Sequence, residues 1–276
     1  MAWGLCQSPL GRPKDTMGCM FIIMPRYIFP YNSRGGAGMA ENRLSLHRGA
    51  LLLLLALFLV GCQSVSFYRA ETLESGDGAR KVMLMPPDVE LSLINFGGTP
   101  EPKADWTATA QLLLEKSLRL KLATQNLELK FGAPIDSLDP FGPELQLLKL
   151  HGAVGEAIMA HQFEDAGALP AKDGEFDWSL GSAVHLLRDK YRADYGLFVH
   201  LRDSYASAGR AAAIAVSALV FGIALEGGRQ VGFASLIDLH TGNIVWINRL
   251  ARGSGDMRNE EGAADTIEQL LSNFPK

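Results

Sequence analysis

Residues 230–246, QVGFASLIDLHTGNIVW, hold two runs of aliphatic and β-branched residues parted by His240-Thr241-Gly242-Asn243. Apolar runs around a turn of this composition predict a β-hairpin, with strand 230–238 followed by strand 244–251. Gly242 permits the positive φ that the turn requires, since it has no Cβ to clash. Alternation in the second strand places Val245 and Trp246 on opposite faces of the sheet. On the C-terminal side, NEEGAADTIEQLLSNF (259–274) predicts a closing helix, with Glu260 and Glu261 favourably placed in its first turn.

On the N-terminal side, ADYGLFVHLRDSYAS (193–207) has the apolar, aromatic and β-branched character of a central strand. Farther back, KVMLM (81–85) reads as a buried strand stopped by Pro86-Pro87. DVELSLINFGGTPEP (88–102) then alternates through Val89, Leu91 and Leu93 before turning at Gly97-Gly98. Asp105 is the predicted N-cap of a helix with Trp106, Ala110, Leu113, Leu114, Ser117 and Leu118 on one face. LELKF (127–131) predicts a strand, and amphipathic helices are expected over about 143–163 and 179–192. The order is strand, helix, strand, helices, three strands, helix, with no repeat period. It predicts one α/β (α+β) domain over 81–276, a mixed sheet flanked by helices and ending in a β-hairpin and a C-terminal helix.

The uncharged run AAAIAVSALVFGIAL (211–225) is ambiguous. As a helix it reaches about 22 Å, short of a membrane span, and its simplest reading is a buried crossing between strands. The alternatives are an exposed apolar surface, for self-association or for insertion into a bilayer, and a strand.

The 276 residues carry a net charge of −4, distributed unevenly. Residues 1–61 contain six basic and two acidic groups, leaving 20 basic and 28 acidic groups in residues 62–276, a balance of −8. A body of that sign is repelled by phosphate backbones, so nucleic acid is not an expected partner.

The most apolar segment, LLLLLALFLV (51–60), is too short to span a bilayer and runs into Gly61-Cys62. Arg43 and Arg48 ahead of it and small residues behind it fit a secretory signal. Leu59-Val60-Gly61-Cys62 resembles the lipobox of bacterial lipoproteins. That resemblance implies cleavage before Cys62, a diacylglycerol on its thiol and an acyl chain on the new amino terminus. Two or more chains suffice for stable membrane anchoring. Gln63, where enteric lipoproteins held at the inner membrane carry aspartate, implies delivery to the periplasmic face of the outer membrane. Counted from Met39, Cys62 is the 24th residue, an ordinary signal length. Residues 1–38 therefore read as an upstream extension outside the fold, 39–61 as the signal peptide and 62–80 as a polar tether, although Phe67 and Tyr68 have the character to dock. Cys62 is the only cysteine after the expected cleavage, so neither a disulfide framework nor a thiolate metal site is expected.

Two stretches of the body, MPPDVEL with EPKADWT (85–91 and 101–107) and QVGFASLIDLHTGNIVW, are similar to a group of proteobacterial envelope lipoproteins. More loosely, the hairpin resembles that of the α/β domain shared by the amino-terminal part of TolB and the curli-secretion lipoprotein. This resemblance implies a binding or assembly module, often oligomeric, and brings no catalytic residues with it.

Motifs for chemistry are sparse. None of the histidines forms HExxH, and His151 and His161 lie about 15 Å apart along one predicted helix, too far to share a metal. His200-Leu201-Arg202-Asp203 shares letters with a kinase catalytic loop, but no glycine-rich phosphate loop or DFG accompanies it. RGSGD (252–256) reads as a flexible turn. Strand alternation puts His200 and Arg202 on one face, where they either line a pocket or belong to a hydrogen-bonded strand surface. The expectation is therefore a lipid-anchored, non-catalytic binding or assembly module, with no metal or cofactor beyond its covalent lipid. Its expected partners are the membrane and either a second copy or an envelope protein. A periplasmic hydrolase with a pocket near His200 and an oligomeric export component inserting residues 211–225 are the alternatives.

Overall fold

The computed structural model describes residues 68–70, 79–163, 169–172 and 175–275. Leu59, Val60, Gly61 and Cys62 lie outside them, as do the predicted signal peptide and upstream extension. The described strands form one mixed eight-stranded sheet. They are β1 (Tyr68–Ala70), β2 (Arg80–Leu84), β3 (Asp88–Ile94), β4 (Pro100–Pro102), β5 (Leu127–Phe131), β6 (Tyr195–Ala206), β7 (Gln230–Asp238) and β8 (Ile244–Arg252). The helices are α1 (Ala104–Ala123), α2 (Pro143–Gln162), α3 (His185–Tyr191), α4 (Ala208–Val216) and α5 (Glu260–Leu270).

The strand order is β1-β8-β7-β6-β2-β5, and the long β6 organises it. Its first residues pair in parallel with β2 (Val82 with Tyr195, Leu84 with Leu197), and its second half pairs in parallel with β3 (Asp88 with His200, through Ile94 with Ala206). One edge of β6 thus carries two strands end to end. Pro86-Pro87 separates them, because proline has no N–H to continue a ladder. On its other edge β6 pairs antiparallel with β7, and β7 with β8. β1 adds antiparallel to β8, so three residues of the segment read as tether belong to the sheet.

Helices cover both faces. Ala110, Leu114, Leu118 and Leu122 of α1 and Ala263, Ile267 and Leu270 of α5 pack on Val82, Leu91, Leu201, Leu236 and Trp246. Leu147, Leu148 and Ile158 of α2 and Leu187 of α3 pack on Met83, Phe198, Phe233, Ile237 and Ile247. Successive strand residues feed opposite layers, as a sheet buried on both sides requires.

Four details depart from the sequence reading. α1 begins at Ala104 with Lys103 at its N-cap and Asp105 inside the first turn. Pairing of Pro102 with Ser92 and the hydrogen bond from Lys103 N to Leu91 O carry the chain directly from β4 into the helix. The helix expected over 179–192 is a 3-10 turn at Ser182–Val184 followed by the short α3, because Ser179 and Leu180 are bonded to the β7–β8 turn. Val245 and Trp246 pack in the same layer rather than opposite ones. Leu236 opposes Trp246 while Ile237 opposes Ile244, so Val245 is the extra residue of a bulge and the alternation slips there.

The fourth departure is the largest. Residues 211–225 are not a buried crossing: α4 and the π turn Ser217–Phe221 that follows it contain no buried residue. β6 and β7 are antiparallel neighbours, so their connection joins adjacent strand ends and crosses neither face. Ser207 caps α4 by accepting a hydrogen bond from Arg210 N (3.1 Å), and Gly222, at φ 66°, ends the turn.

Candidate functional site

The parallel register of β3 and β6 sets Asp88 beside His200, Glu90 beside Arg202 and Ser92 beside Ser204. All six share the α2 side of the sheet, and His200 and Asp88 lie against Gly152 of α2. His200 Nδ1 lies 3.0 Å from Asp88 Oδ2, and the Arg202 guanidinium meets both carboxylate oxygens, at 3.1 and 3.3 Å. Arg202 also donates to the carbonyls of Asp88 and Leu201. Burial alone would raise the Asp88 carboxyl, but hydrogen bonds from His200 and Arg202 outweigh it and hold the group at about 2.

His200 is 5% exposed. Its ring stacks on Phe233 of β7 with centroids 5.0 Å apart. Two glycines of α2 make room for this stack. A Cβ on Gly155 would stand 2.0 Å from the Phe233 ring, and one on Gly152 would stand 3.0 Å from His200 Nδ1. One residue earlier, His151 is buried against Phe198 and Phe233, and neither of its ring nitrogens has a partner. Burial first, and the neighbouring His200 second, push His151 down to about 3, so it is neutral at ordinary pH.

A cleft of about 500 Å³ opens beside this cluster, lined by Glu90, Ser92, Glu156, Arg202, Ser204 and Arg229 among others. Glu156 Oε1 stands 3.7 Å from His200 Nε2. Asp88 thus faces one ring nitrogen of the imidazole and Glu156 the other, so carboxylates from β3 and α2 flank it at the edge of the cleft. Among the described residues no serine, threonine or cysteine hydrogen-bonds to that imidazole, and no three His, Cys, Asp or Glu residues cluster as a metal site.

The structure therefore brings His200 and Arg202 together in one cluster at the edge of a cleft, with a hydrogen-bonded face and a pocket both present. Sequence reading missed Asp88 and Glu156, which come from separate elements; the aspartate directly after Pro86-Pro87 was the one local signal. It also missed the polar network on the opposite face. There Asp203 accepts from Tyr205 Oη (2.5 Å) and Gln230 Nε2 (2.9 Å), while Arg252 joins Gln230, Asp265 and Thr266. Burial raises the Asp203 carboxyl and, with Asp203 as its acceptor, raises the Tyr205 phenol. This network ties β6, β7, β8 and α5 together.

No family model matches the chain, and no curated protein matches it. Among solved structures it is similar to a PelC dodecamer from Paraburkholderia phytofirmans, a methionine variant, at 15% identity over 77% of this chain and 99% of that chain, with a TM-score of 0.33. A second PelC dodecamer from the same organism matches at 13% identity over 75% of this chain and 97% of that one, with a TM-score of 0.34. Both are PelC, neither TolB nor the curli-secretion lipoprotein.

Proposed function

We propose that the chain is a lipid-anchored binding or assembly module of the cell envelope, held by Cys62 at the periplasmic face of the outer membrane and without catalytic activity of its own. The observation that carries this reading is the β6–β7 connection. Leu219 is 86% exposed, and Val216, Val220, Phe221 and Ile223 are each more than half exposed, on a segment with a rigid base. Arg210 fixes that base by donating from Nε and Nη2 to Glu226 O (3.1 and 2.9 Å). A cluster of apolar side chains held out from the body is the usual mark of a contact surface.

The anchor has its own test. Cys62→Ala should leave a longer, unprocessed precursor, seen by intact mass and by loss of metabolic fatty-acid labelling. Normal maturation of that variant would refute the assigned cleavage site.

One observation favours a hydrolase as the second reading: the 3.0 Å pairing of His200 with Asp88 beside an open cleft. Ester, amide and glycoside substrates offered to the purified protein decide between the two. Turnover abolished equally by His200→Ala and Asp88→Asn, with unchanged circular dichroism, would make the chain an enzyme; no turnover would support the binding module.

A further inference from the structure

We propose that the tip of the β6–β7 connection inserts into the lipid bilayer, so that the domain is held by two points, its lipid and its apolar tip. This rests on the anchor at Cys62 and adds a partner to it. The topology supplies the argument. β6 ends at Ala206, and β8 ends at Arg252 opposite the start of β7, so the connection leaves and re-enters at the end of the sheet marked by Arg252. β1 is antiparallel to β8, with Tyr68 opposite Asn248, so the N-terminal side of β1 faces that same end. Arg252 lies four residues beyond Asn248, about 14 Å along the strand. Cys62 lies six residues before Tyr68, a reach of about 20 Å in extended chain. A lipid on Cys62 therefore brings the bilayer to the end of the sheet from which the connection projects.

The chemistry of the tip fits that neighbour. Residues 211–225 carry no charge, and charged groups return only at the base, with Arg210, Glu226 and Arg229. Phe96, 71% exposed in the β3–β4 turn, lies against the start of α4: a Cβ on Gly209 would be 3.7 Å from its ring. It extends the apolar surface at the same end. No helix among the described residues is long and apolar enough to cross a membrane, so the tip enters only the interfacial layer, about 5–10 Å deep. A second copy fits less well, since five large apolar side chains on the projection fall short of the roughly 20–30 residues a side of a stable protein interface. Electrostatic attraction cannot replace the tip, because the −8 body is repelled by anionic lipid.

The test uses the full chain, expressed in a bacterium that processes lipoproteins and reconstituted in vesicles of phosphatidylethanolamine and phosphatidylglycerol. A polarity-sensitive thiol dye is placed at Leu219→Cys, or at Thr241→Cys in the exposed β7–β8 turn at the opposite end of the sheet. Brominated acyl chains should quench the dye at 219 at least twofold and leave the dye at 241 unchanged. Protein that floats with the vesicles while its dye at 219 stays unquenched would overturn the insertion and leave the anchor standing. Energy transfer between two copies labelled at 219, with no lipid quenching, would overturn it in favour of self-association. Protein that fails to float and keeps residues 39–61 would overturn the anchor, and the insertion with it.

Discussion

At the scale of single residues, His151 is a buried polar group that costs the fold stability. A buried imidazole with both nitrogens unpartnered loses its hydrogen bonds to water and gains none. Its folded pKa of about 3 lies below the ordinary 6.5, so between those values the unfolded chain binds a proton that the folded chain refuses. Its contribution to stability is therefore full above about pH 6.5 and is lost as pH falls toward 3, by at most about 1.4 kcal/mol per pH unit. Asp88 acts in the same direction lower down: held at about 2 against the ordinary 3.8, it stabilises the fold above about pH 4 and ceases to do so as pH falls through 2. His151→Phe should raise stability at pH 7 by about 1 kcal/mol and flatten the pH dependence of the urea midpoint between pH 6.5 and 4. An unchanged slope would show that another group titrates there. Gly155 answers to size rather than charge. Gly155→Ala should cost about 1–3 kcal/mol in urea denaturation, since its methyl would meet the Phe233 ring that His200 stacks on. Neither site could be read in sequence, because Phe233 is 78 residues from Gly155 and only packing places them together.

Among the elements, the most legible were those whose pattern follows from the chain alone. The hairpin β7–β8 showed in its two apolar runs and in Gly242, and α5 in Glu260 and Glu261 of its first turn; the structure adds the cap, Asn259, whose side chain accepts from Gly262 N (2.9 Å). The connection 207–229 was misread because an uncharged run looks the same whether it is covered or exposed. Its neighbours decide which, and an antiparallel β6–β7 pair asks for no crossing. Replacing residues 211–223 by a short glycine-asparagine turn should leave the thermal midpoint within a few degrees of the parent, because none of the residues removed is buried. Global unfolding of that variant would show the segment to be core after all.

For the whole molecule, two helical layers share one sheet, and each strand of the centre contributes to both. Trp246, fully buried beneath α5, should therefore report the same thermal transition by fluorescence as far-UV circular dichroism does for the helices. Separate transitions would mean that the layers melt independently. Composition, period and turn chemistry by themselves determined the α/β class, the positions of most strands and helices, and the resemblance to a lipobox at Cys62, because each of these depends on residues close together in the chain. Only the tertiary structure decided that Pro86-Pro87 divides two strands on one edge of β6, that Asp88 meets His200 across 112 positions, and that residues 211–225 face outward. Those outcomes depend on register and on which surfaces are already covered, and both are set by contacts between segments far apart in sequence.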